Sequence, residues 1–123
     1  MSDHVDLAPS LARMTFNQAF VHRDASASIY GKRLVYGGHV QGLAQASLSR
    51  LLPGLATIVA WDGCDHIGPA FEGDLLKFRH ELKEILPVNG GRLMRFEIRG
   101  ATTTEQESSD SDILVWTPIV FAP

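Results

Sequence analysis

Residues 33–52 constrain the fold more than any other stretch of the chain. They read Arg-Leu-Val-Tyr-Gly-Gly-His-Val-Gln-Gly-Leu-Ala-Gln-Ala-Ser-Leu-Ser-Arg-Leu-Leu. From Val40 the apolar positions recur at Leu43, Ala44, Ser47 or Leu48, and Leu51, the stripe of a helix that buries one face. Gly42, Ala44, Ala46 and Ser47 keep the helix slim enough to lie close against a sheet. Gly37 and Gly38 stand at its start. Amides there, with no Cβ atoms in the way, can point at an electron-rich oxygen. A plain turn into a core helix would use the same pair. Arg50 suits the dipole of the last turn, and Pro53-Gly54 ends the helix.

The 123 residues suit one domain with one core. Residues 1–5 are expected to fray. Asp6 as N-cap, Pro9 in the first turn, and Leu7, Leu11 and Met14 on one face predict a short helix at about 6–15. Residues 17–32 hold no sustained period. They set Phe20 and Val21 beside His22, Arg23 and Asp24, the make-up of a functional loop. Residues 25–29 fit one helical turn before Gly31.

Residues 56–61 read as a strand bounded by Pro-Gly and Asp-Gly, and residues 64–73 must bend at Gly68, Pro69 and Gly73. From 75 to 85, Leu76, Phe78, His80 and Leu82 alternate with Lys77, Arg79, Glu81 and Lys83, giving a strand with one wet face. Residues 87–91 form a hairpin turn, after which Met94, Phe96 and Ile98 again face inward. The polar run 102–112 reads as mobile. A last strand covers 113–121, with Pro118 arguing for an edge position or a bulge. Short helix, irregular loop, long helix and about four antiparallel strands make an α+β chain, a curved sheet wrapped around the long helix. One layer of sheet over one helix leaves a side uncovered, so a dimer is expected.

Charged residues make up 20% of the chain and the net charge is -3, which argues against nucleic acid as a partner. No apolar run would cross a bilayer, and the opening Met-Ser-Asp-His-Val-Asp lacks the pattern of a secretion signal. The single cysteine, Cys64, rules out an internal disulfide and fits a reducing cytosol. A cytoplasmic protein with no membrane partner is the expectation. Cys64-Asp65-His66 invites a metal reading, but near neighbours on an extended segment do not build a tetrahedral site. No metal and no cofactor are expected.

Asn17-Gln-Ala-Phe-Val-His22-Arg-Asp24 followed by Ser28 resembles the hydratase motif of the MaoC-like (R)-specific enoyl-CoA hydratases. That motif runs Asp-x-Asn-Pro-aliphatic-His, with Ala or Ser six residues further on. Val21, His22 and Ser28 match it, and Asp24 fits the usual His-x-Asp. Residues 34–40 are similar to the family's apolar-Ala-His-Gly lead into its central helix, and residues 67–74 to its Pro-Val-x-x-Gly-Asp turn. The resemblance implies the hot-dog fold. It also implies hydration of trans-2-enoyl-CoA to (R)-3-hydroxyacyl-CoA, or the reverse dehydration. Asn17 stands where the family has Asp, Ala19 where it has Asn, and Phe20 where it has Pro. The family's first strand, ahead of the short helix, is apparently missing. The Tyr-Gly-Gly-His lead looks more like the second half of double hot-dog hydratases. The chain is then either a single hot-dog that forms a homodimer or one half of a heterodimer with another hot-dog chain.

Such a reaction needs a base for water, an acid for the α-carbon, and donors for the thioester oxygen. His22 is the candidate base or acid. The resemblance and the helix start together nominate Tyr36, Gly37, Gly38 and His39 for substrate binding, with the amides around Gly38 and His39 as oxyanion donors. Asn17 can hold a water but cannot accept a proton at neutral pH. Asp24 orients His22 only if the loop allows it, because residues two apart with one between them would be set by loop geometry alone. Lys32, Arg33, Lys77 and Arg79 are weak candidates for the phosphates of coenzyme A, and His80 reads as a buried or interface histidine. Two rivals remain. One is an acyl-CoA thioesterase, since residues 36–46 resemble the Gly-Gly-Gln helix lead of one thioesterase group. The other is a non-catalytic subunit that completes a hydratase dimer, which Asn17 motivates.

Overall fold

In this computed structural model, residues 2–15, 19–103 and 111–123 are described. Five strands are present among them: β1 (Ser2–His4), β2 (Thr57–His66), β3 (Leu75–Val88), β4 (Gly91–Thr103) and β5 (Ser111–Ala122). The helices are α1 (Ala8–Met14) and α2 (Gly37–Leu51), with 3₁₀ turns at Phe20–His22 and Ala25–Ala27. The sheet order is β1-β3-β4-β5-β2, every neighbouring pair antiparallel.

The alternation seen in the sequence sets the inner face. Leu76 and Phe78 of β3, Met94, Phe96 and Ile98 of β4, and Leu114, Trp116 and Val120 of β5 are buried against Val40, Ala44 and Leu48 of α2. Ala44 and Ser47 are fully buried, so the small residues lie where helix and sheet approach. The Ser47 hydroxyl donates to the Ala44 carbonyl at 2.8 Å and meets His80 Nε2 at 2.8 Å. With the hydroxyl proton so used, His80 Nε2 carries the hydrogen. His80 is thus a satisfied histidine at the seam between helix and sheet.

Four local expectations need correcting. A strand does precede the short helix: Ser2–His4, expected to fray, pairs with β3 in the register Ser2↔Lys77. The short helix starts at Ala8 with Leu7 as its cap, at φ 54, and no side chain caps it; Asp6 does not serve. β2 runs on through Asp62-Gly63 to His66, because register slips between Ile58 and Ala60 and between Trp61 and Gly63 absorb what looked like a strand end. β4 reaches Thr103 and β5 starts at Ser111, so the ends of the supposedly mobile run lie in strands and the remainder, 104–110, lies outside the described residues. Pro118 sits in an interior strand, opposite Trp61 beside the second slip. A proline there removes a donor where the ladder is already broken.

The turn before β3 is tied to the N-terminus. The Phe71 amide donates to Asp74 Oδ2 (2.9 Å), the Val5 amide to the Asp74 carbonyl (2.9 Å), and the Gly73 amide to the Val5 carbonyl (2.8 Å). This fixes residues 71–74 against Val5, between β1 and α1. Among the described residues no helix is long and apolar enough to cross a membrane.

Candidate active site

His22 is held by backbone on both sides. Its amide donates to the Ala19 carbonyl at 3.0 Å, and the Leu34 amide donates to the Val21 carbonyl at 2.8 Å. The Leu34 carbonyl then accepts from His22 Nδ1 at 2.7 Å. Residues 33–35 act as a rail between this loop and residues 70–72. The Val35 amide donates to the Ala70 carbonyl (2.9 Å), the Glu72 amide to the Arg33 carbonyl (3.2 Å), and Arg33 pairs with the Glu72 carboxylate. Arg33 Nε also donates to the Arg23 carbonyl at 3.0 Å. A carbonyl can only accept, so Nδ1 carries the proton and the Nε2 of the neutral ring offers its lone pair.

His22 lines a cavity of about 330 Å³, together with Tyr30, Leu34, Gly37, Val40 and His66. The cavity therefore joins the loop histidine, the first residue of α2 and the last residue of β2. Gly37 is needed here for close approach. A Cβ on it would lie 2.8 Å from both Cε1 and Nε2 of His66. A Cβ on Gly38 would lie 2.5 Å from the Tyr36 ring. The first amides of a helix lack intrahelical partners. The His39 amide is nonetheless engaged, donating to the Tyr36 carbonyl at 3.1 Å, which leaves Gly37 and Gly38 as the donors of the first turn.

The other nominated residues are placed as follows. The Tyr36 ring lies 6.4 Å from that of His22 and against Gly38, and neither Tyr36 nor Gly38 is among the residues lining the cavity. His39 is 6% exposed and its Nδ1 finds no partner among the described residues. Burial pushes its pKa down, with Asp6 opposing. Asp24 does not reach His22, and this corrects its role as orienter: its carboxylate caps the turn Ala25–Ala27, accepting from the Ser26 amide (2.9 Å) and hydroxyl (2.8 Å). Those bonds hold the carboxyl below its ordinary range. The Leu34 carbonyl fills the place proposed for it. Asn17 lies outside the described residues. Of the rim cations, Arg33 is paired with Glu72, and Arg79 is 3.4 Å from Asp112. The sequence brought out His66 only as a metal ligand weighed and set aside, and Tyr30 not at all; both line the cavity. Alternation would have put His66 on the inner face of β2, but two slips in that strand hide its period.

No family model matches the chain. Over 65 residues, 53% of this chain, it is 40% identical to mesaconyl-CoA hydratase of Cereibacter sphaeroides, and that match covers 19% of the hydratase. A conserved hypothetical protein of Mycobacterium tuberculosis with a double hot-dog fold superposes with a TM-score of 0.88 at 38% identity, over 98% of this chain and 36% of the other. The chain is a hot-dog domain. It spans about a fifth of the curated relative's length and about a third of the mycobacterial protein's. The (R)-hydratase of Pseudomonas aeruginosa shares the fold at a TM-score of 0.81 and 20% identity, covering all of this hot-dog domain and 77% of that chain. MaoC-like dehydratases and a (3R)-hydroxyacyl-ACP dehydratase complex are also among the structural neighbours of the hot-dog domain.

Proposed function

We propose that this hot-dog domain hydrates a trans-2-enoyl-CoA to the (R)-3-hydroxyacyl-CoA, or catalyses the reverse dehydration. The observation that carries the reading is the 2.7 Å contact of His22 Nδ1 with the Leu34 carbonyl. Its Nδ1–H is committed to the Leu34 carbonyl, so Nε2 is a base, in the same cavity as the leading glycine of α2. In the proposed step Nε2 takes a proton from water as the oxygen bonds to C3. Charge then builds on the thioester oxygen, where the Gly37 and Gly38 amides and the positive end of the helix stabilise it. The identity to mesaconyl-CoA hydratase supports the same chemistry. The test is the loss of conjugated absorbance from crotonyl-CoA and longer enoyl-CoA esters, assayed with the chain alone and with a second hot-dog chain. Absence of turnover in every combination would sink the proposal, and release of free thiol would transfer it to thioester hydrolysis.

The 123 residues are proposed to act as one hot-dog unit that works in a pair, with itself or with another hot-dog chain. The support for this is the edge strand β2, whose Val59 and Trp61 are each about half exposed, at 51% and 53%. A lone unpaired cysteine, Cys64, favours a reducing compartment, the cytoplasm.

A further inference from the structure

The cavity holds a second imidazole that the reading so far leaves unused. His66 ends β2, pairs in register with Leu114 of the inner face, and lines the cavity that His22 lines. Its Cε1–Nε2 edge is packed so tightly on Gly37 that no side chain fits between them. The ring therefore stands beside the amides proposed to hold the thioester oxygen. The Cys64 sulfur lies 3.9 Å from Nε2. Burial first, and Asp65 second, raise the Cys64 pKa, so the thiol stays protonated and is a feeble partner for the ring. Asn17 cannot transfer a proton at neutral pH, which leaves His22 to handle both protons of the addition unless a second group in the cavity shares the work.

The geometry points to His66 as the general acid of the proposed hydration, an inference that rests on the hydratase reading above. His22 Nε2 removes a proton from water while the water oxygen bonds to C3. The C2–C3 π pair shifts to give an enolate whose oxygen lies on the Gly37 and Gly38 amides. C2 then takes the proton from the His66 imidazolium, and the C1–oxygen double bond reforms. His22 ends protonated and His66 neutral, so the protein's charge is unchanged. Exchange with solvent resets both, and His66 is exposed enough to exchange directly. In dehydration the roles reverse, with His66 removing the C2 proton.

His66→Gln keeps a polar head near the Nε2 position but cannot relay a proton. It is expected to lower kcat for crotonyl-CoA about 100-fold while KM moves less than about threefold. It is also expected to slow exchange of the C2 protons of the hydroxyacyl-CoA in D2O by a similar factor, with the thermal midpoint unchanged. His66→Asn, shorter by one methylene and equally unable to relay a proton, reproduces the loss and serves if His66→Gln fails to fold. A folded His66→Gln chain with wild-type kcat and exchange overturns the role of His66 and leaves the hydratase reading intact. An inactive wild type, alone and with a second hot-dog chain, overturns both.

Discussion

His22 is set by two backbone hydrogen bonds and one ring bond, two of the three made to Leu34 in the 33–35 rail. His22→Gln should keep the rail and lose the base, lowering kcat by about 10²–10⁴-fold in the crotonyl-CoA assay. Gly38→Ala must push a methyl into the Tyr36 ring, and an overpacking cost of about 1–3 kcal/mol is expected in the urea midpoint. Burial lowers the pKa of His39 and of His80 below the ordinary 6.5. The unfolded chain therefore binds more protons than the folded one between those lowered values and about 6.5. Stability is present in full above that range and is lost as pH falls through the folded values. The thermal midpoint should drop on acidification from pH 7 to pH 5, and a flat profile would contradict the burial of both rings. At this scale the sequence was legible where chemistry repeats a spacing. His22 and the glycine pair stood out because residue type and order single them out. Asp24 misled, since a carboxylate two residues from a histidine is equally suited to capping the next turn, and only the backbone decides.

The elements followed their periods wherever the periods were unbroken. α2, β3 and β4 were readable because Val40, Ala44 and Leu48 repeat at helical spacing and Met94, Phe96 and Ile98 alternate. Leu48, fully buried between α2 and the sheet, should cost about 2–5 kcal/mol when cut to alanine, measured by chemical denaturation. β1 was illegible because three polar residues carry no pattern, and its pairing depends on β3 alone. α1 begins with a leucine in the left-handed region, 65% exposed, where an L side chain costs about 1–2 kcal/mol. Leu7→Asn should raise stability by about 0.5 kcal/mol, since asparagine tolerates that conformation and little apolar burial is lost. An unchanged or lower denaturation midpoint would show that Leu7 contributes contacts that outweigh its backbone cost.

The molecule as a whole leaves apolar surface without cover. Leu82, Ile85 and Leu86 near the end of β3 are 45%, 50% and 56% exposed, in addition to Val59 and Trp61 on the β2 edge. Light scattering at micromolar concentration should give the mass of a pair, alone or after mixing with a second hot-dog chain. Trp61→Glu should shift that mass toward the single chain while the far-ultraviolet dichroism holds. The expectation of a partner comes from the layer count, one sheet over one helix. The partner's identity was not, because an edge strand displays mainly backbone, which is alike in every sequence.

The two slips in β2 have a consequence for assembly. A straight outer strand invites indiscriminate lateral growth, one chain after another. This one is crimped at two points three residues apart along its length, so a flat neighbour would lose alternate ladder bonds twice. Such an edge discourages fibre formation, and pairing along it would be a matter of contour as much as of side-chain chemistry.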